Sequence, residues 1–142
     1  MIRRFFYTTP HIDYIHWILL LIRLSALVLL LNHGLLKFTN LLSGEEIKFG
    51  DPIGLGPQVS FILVVFAEFF CSALVILGLC TRLASIPPVI NFLVIVFVVH
   101  LHDPFARKEL PLFYLVFFII LLILGGGKYS MDYFLFQKTA RK

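Results

Sequence analysis

Charge is scarce in this sequence. Asp, Glu, Lys and Arg make up 14% of its 142 residues, where a soluble domain carries about a quarter. So little charge cannot cover a water-exposed surface, which excludes an ordinary soluble domain. Cysteine is scarce too: there are 2, Cys71 and Cys80, and no CxxC. If both lie on one helix, they are about 13 Å apart along its axis, beyond the reach of a disulfide. A redox pair within the chain is therefore not expected. The thiols are read as buried packing groups, with pairing between chains left open. The net charge is +4, but the basic residues scatter over loops and termini. No basic face is present for nucleic acid to bind. A metal-ligand pattern is also missing. His100-x-His102 lacks the spacing of a helical metal pair, and no cysteine joins it. A haem held by His33, His100 or His102 from facing spans is the residual metal reading, which an absorption spectrum of the purified protein decides. A transporter is disfavoured because no broken half-helix is evident.

Apolar residues fill the space that charge leaves, at 60% of the chain. They fall into four long runs, each of a length that suits a bilayer core. The expected spans are about 15–37, 58–80, 85–101 and 110–125, with a long loop over 38–57. The fold class is all-α: a polytopic four-helix transmembrane bundle forming a single domain over 1–142. Arg3 and Arg4 precede the first run as in a signal peptide, but no A-x-A site follows and Arg23 interrupts the run. It is read as a retained first span. Pro87 and Pro88 are expected in the first turn of the third span, where a missing N–H costs little. Orientation follows from Lys and Arg. One side would hold Arg3, Arg4, Arg82, Lys128, Lys138, Arg141 and Lys142, and the other Lys37, Lys48, Arg107 and Lys108. Seven against four favours both ends in the cytoplasm.

The polar residues inside the runs carry the functional reading. Glu68 sits in the middle of Gln58–Cys80, where an unpartnered charge costs several kcal/mol. Cys71, Ser72, Val75 and Gly78 continue its face at helical spacing and let another helix approach closely. Arg23 lies about 12 Å into the first span. It either snorkels to the surface or pairs with Glu68 in a buried ion pair. His16 beside Trp17 suits an interfacial belt. Asn91 is an interhelical hydrogen-bonding residue or part of a site. Residues 38–57 form a plain loop or an apolar lid on the bundle's end. His33, Lys37, His100 and Glu109 are expected to converge on the outer side as ligand-binding candidates, with His102, Asn91 and Arg82 as secondary ones. An apolar bundle with a few converging polar groups is the usual form of a small-molecule pocket.

Several motifs stand in order: Arg23, His33-Gly34-x-x-Lys37, Glu68, Leu77-Gly78-Leu79-x-Thr81-Arg82, His100, Glu109 and Gly125-x-Gly127-x-x-Ser130-x-Asp132. In that series the chain resembles the DoxX family of small four-helix bacterial membrane proteins. His102 and Asp103 depart from the family pattern. The resemblance implies a multi-pass protein of the bacterial inner (plasma) membrane, in contact with the lipid bilayer and with other membrane or redox proteins. It implies a small subunit of, or accessory to, a quinone-linked redox complex, since the family is named after a subunit of a thiosulfate:quinone oxidoreductase. The chain has no evident redox centre of its own, so an enzymatic role in isolation is not expected. No covalently bound cofactor and no metal are expected, and a quinone is the ligand such a site would take. The other reading is a structural or assembly subunit that anchors a larger membrane complex, its buried charges fixing helix register.

Overall fold

The computed structural model describes residues 12–44 and 47–137. Arg3, Arg4, Lys138, Arg141 and Lys142, which enter the charge count, lie outside the described residues. Among the described residues every regular element is helical. Four rods account for most of them: α1 (Tyr14–Ser43), α2 (Pro57–Leu77), α3 (Thr81–Val99) and α4 (Phe105–Leu124). α1, α2 and α3 are long and apolar enough to cross a membrane. α4 has the length, but Arg107, Lys108 and Glu109 occupy its start, so its apolar stretch begins at Leu110. The rods alternate in direction. One end of the bundle carries the connection between α1 and α2 and the short link from α3 to α4; it is called the loop end below. The tail end carries the turn Gly78–Cys80 and the segment after Leu124.

α1 runs on to Ser43, six residues past Lys37. α2 stops at Leu77 because Gly78 turns into the left-handed region at φ 70°. α3 starts at Thr81, four residues before the expected Ser85, so Pro87 and Pro88 lie inside the helix and not in its first turn. The carbonyls of Leu83 and Ala84 therefore lack their usual i+4 N–H partners. The earlier start has a physical cause. The Asp132 carboxylate accepts from the Cys80 and Thr81 amides at 2.7 and 2.8 Å and from the Thr81 hydroxyl at 2.8 Å. A carboxylate on the first amides of a helix stabilises that terminus.

α3 and α4 pack along most of their length, while α1 packs mainly on the second half of α2. The core includes Leu19, Ala26, Leu29, Val75, Phe92 and Phe118. The stripe running from Glu68 through Cys71, Ser72 and Val75 is buried as its spacing predicts, and Phe66 and Phe70 lie on the exposed side. α2 and α3 meet from Phe66 onward, but the first half of α2 packs little on α3. The two helices are pinned together at the tail end and part towards the loop end. That parting makes room for the cavity described next.

Candidate functional site

The site grows from one close crossing. A Cβ on Gly34 would lie 2.7 Å from the Glu68 carbonyl oxygen, so only glycine lets α1 and α2 come this near. Both helices widen into π-helical turns at the crossing, Leu30–Gly34 on one and Phe66–Cys71 on the other. Such turns recur at functional sites because they re-aim side chains. One turn beyond Gly34, Lys37 reaches across and its Nζ meets Glu68 Oε2 at 2.7 Å. Asn91 of α3 donates its Nδ2 to Glu68 Oε1 at 3.1 Å. The Glu68 side chain is 3% exposed and that of Lys37 28%. The carboxylate is thus neutralised and hydrogen-bonded on both oxygens, which a charge at this depth requires.

A cavity of about 450 Å³ adjoins this network where α2 and α3 part. Lys37, Asn91, Ser60 and His100 bring polar atoms to it, while Leu63, Phe66, Ala67, Ile90, Val94 and Ile95 make its walls apolar. Phe49, Pro52 and Ile53 of the connecting loop roof it. Asp51 holds that roof in shape. Its carboxylate accepts from the Leu55 and Gly56 amides at 3.0 and 2.9 Å and from the Ser60 hydroxyl at 3.0 Å. Those bonds, led by the Gly56 amide, hold the Asp51 carboxyl below the ordinary range. Across the cavity mouth, His100 Nδ1 lies 2.7 Å from Asp103 Oδ2. That bond, helped by Arg107, lowers the Asp103 carboxyl as well.

The expected Arg23–Glu68 ion pair is not formed. The register set at Gly34 explains why. Arg23 lies eleven residues before Gly34, about 16 Å down α1, and the antiparallel partner at that level is Gly78, ten residues beyond Glu68. A Cβ on Gly78 would overlap Arg23 Nη1, so the guanidinium occupies the room that this glycine leaves. Arg23 is 1% exposed, donates Nη2 to the Tyr129 carbonyl at 2.5 Å and feels the Asp132 charge through space. Its Nε and Nη1 have no hydrogen-bond partner among the described residues. Arg23 and Asp132 therefore belong to a clasp at the tail end. There residues 125–132 fold back over the α2–α3 turn, and the Asp132 amide donates to the Gly78 carbonyl at 2.9 Å.

Of the four primary ligand-binding candidates, Lys37 and His100 line the one cavity, joined by the secondary candidate Asn91. His33 and Glu109 are exposed and do not line it. Gly34 takes the helix contact, and His33, one position back, is turned about 100° away. Glu109 lies off the buried α4 face of Tyr114, Leu115 and Phe118. His102 and Arg82 are exposed as well, Arg82 lying over Gly125 at the tail end. No group of three or more His, Cys, Asp or Glu residues able to hold a metal occurs among the described residues. Cys71 is buried, Cys80 is exposed, and both are free thiols. Sequence reasoning missed the role of Asp51. Its signal was Asp51-Pro52 followed by Gly54 and Gly56, turn chemistry with a carboxylate at its head.

Long apolar helices, a neutralised carboxylate in their midst and a cavity beside it define a multi-pass helical membrane protein with a buried polar network. The family model for DoxX matches residues 18–101, more than half of the chain. The chain belongs to the DoxX family. That match takes in Arg23, Gly34, Lys37, Glu68, Asn91 and His100, and ends before Glu109 and Asp132. Searches of curated proteins and of solved structures returned no match.

Proposed function

We propose that this DoxX protein is a small membrane subunit or accessory of a quinone-linked redox complex, and that the cavity between α2 and α3 receives the quinone-type ligand. One observation carries the reading. The cavity, at about 450 Å³, falls within the range of small-molecule sites, and two of its polar groups, Lys37 and Asn91, hold Glu68. Lys37 and Asn91 would orient a ring oxygen, and the His100 ring nitrogen would hydrogen-bond the head group. The chain supplies binding and orientation, and electrons pass through a partner. In this reading α4 is a fourth span, both termini face the cytoplasm of a bacterial inner membrane, and the loop end faces outward. His33 and Glu109 stay outside the site. Purification in mild detergent followed by mass spectrometry of co-purifying proteins and lipids tests the proposal. A quinone or a redox enzyme is the expected companion. An unrelated membrane assembly without quinone favours the anchoring role, for which the Arg23 clasp and the Lys37–Glu68 pair would serve as register devices.

A further inference from the structure

The cavity is not sealed at its side. Leu63 and Phe66 of α2 and Ile90 of α3 line it, yet they are 46%, 49% and 56% exposed. All three belong to helices apolar and long enough to span a membrane, so the surface they are exposed on is the one that lipid covers. The mouth between α2 and α3 therefore faces sideways, into hydrocarbon. Polar groups line the same cavity, and the Lys37 ammonium among them is spent against the Glu68 carboxylate at 2.7 Å. The unspent groups are two Lys37 N–H bonds, the Asn91 side-chain carbonyl and His100 Nε2, since Asn91 Nδ2 and His100 Nδ1 are engaged. They form a mixed set of donors and acceptors with no net charge. Such a set accepts an uncharged head group that carries acceptors, donors or both. It gains little from an anion, whose burial beside an already neutralised pair would add an uncompensated charge.

Resting on the reading of the cavity as a ligand site, we infer that its ligand is a membrane-dissolved lipid with an uncharged head bearing carbonyl or hydroxyl oxygens and at least one long apolar tail. The head sits against Lys37, Asn91 and His100. The tail leaves between Leu63 and Phe66 on one side and Ile90 on the other, so the ligand enters and departs within the bilayer. Isoprenoid quinones and neutral glycerides share this chemistry.

Binding to the full chain in lipid nanodiscs tests it, with a benzoquinone ring carrying a ten-carbon tail, the same ring without a tail, a diacylglycerol and a phosphatidylglycerol as probes. The tailed ring is expected to bind about tenfold or more tighter than the bare ring at equal concentration in the bilayer, because its tail gains apolar contact. Ile90→Trp, on the lipid-facing surface, should weaken the tailed ring about tenfold more than it weakens the bare ring; Leu63→Trp repeats the test from the other wall should the first variant accumulate poorly. Displacement of the tailed ring by diacylglycerol supports the inferred class and points to a glyceride source, while resistance to it points to a quinone. Equal binding of tailed and bare rings, unaffected by either tryptophan, overturns the lateral route and leaves the ligand site standing. Tighter binding of phosphatidylglycerol overturns the uncharged head. If neither ring binds, the proposed function fails together with the inference.

Discussion

Replacing Lys37 by methionine removes the only cation in contact with Glu68 among the described residues. The Glu68 side chain is 3% exposed and keeps only the Asn91 hydrogen bond. Breaking a buried pair from one side costs about 3–5 kcal/mol, and the surviving bond puts Lys37→Met near about 3 kcal/mol. Glu68→Gln is milder. It leaves Lys37, which is partly exposed and can turn its ammonium towards water, and a carboxamide that still accepts from it, so about 1–2 kcal/mol is lost. With both changed, neither charge is stranded. The double variant should be more stable than the sum of the two losses predicts, by about 1.5–3 kcal/mol. The same cycle run on Arg23→Met and Glu68→Gln should be additive within about 0.5 kcal/mol, since the two levels are about 15 Å apart along the bundle. Reversible unfolding in mixed micelles, followed by circular dichroism, measures both cycles. Coupling between Arg23 and Glu68, with additivity between Lys37 and Glu68, would refute the register argument built on Gly34.

Gly34→Ala places a methyl group 2.7 Å from the Glu68 carbonyl oxygen. The helices must move apart, at about 1–3 kcal/mol, and thermal unfolding should show this loss together with weaker Lys37–Glu68 coupling. Cys80, exposed at the tail end, should react with a membrane-impermeant thiol reagent only from the cytoplasmic side, while buried Cys71 stays protected; labelling of intact cells from outside would invert the orientation. The Asp51 carboxyl is lowered by its bonds to the roof. Its contribution is complete above the ordinary value of about 3.9 and is lost as pH falls through the lowered one. Protection of the Leu55 and Gly56 amides from hydrogen exchange, relative to the intrinsic rate at each pH, should therefore hold down to about pH 4 and fall as the pH drops through the lowered value; Asp51→Asn should remove that protection already at neutral pH.

The helical class was legible because long apolar runs have few physical solutions. The buried face of α2 was legible because Glu68, Cys71, Ser72 and Val75 repeat at helical spacing. The partner of Glu68 was not. Counting Arg23 inward from Ile15, and Glu68 inward from the far end of its own run, assumed that the two ends lie at one level of the bundle. In the structure Arg23 lies level with Gly78, just past the end of α2 at Leu77. Register is fixed where the backbones touch, and the signal for that was Gly34, a glycine that sequence reading had placed only within the His33-Gly34-x-x-Lys37 motif. His33 and Glu109 were grouped with Lys37 because all lie near one end of the bundle. Depth says nothing about which way round a helix a residue points. Asp132 was visible only as part of a motif, because its role as a cap depends on a chain reversal some fifty residues beyond the helix start it caps.

Photolabelling tests the account's central claim most directly. A tailed quinone carrying an azide on its ring, irradiated with the purified protein in nanodiscs, should attach saturably to residues 60–67 or 87–100, or to Lys37, and an excess of unlabelled tailed quinone should suppress the labelling. Saturable attachment around Arg23 at the tail end, or attachment that no excess of quinone suppresses, would contradict a quinone site between α2 and α3.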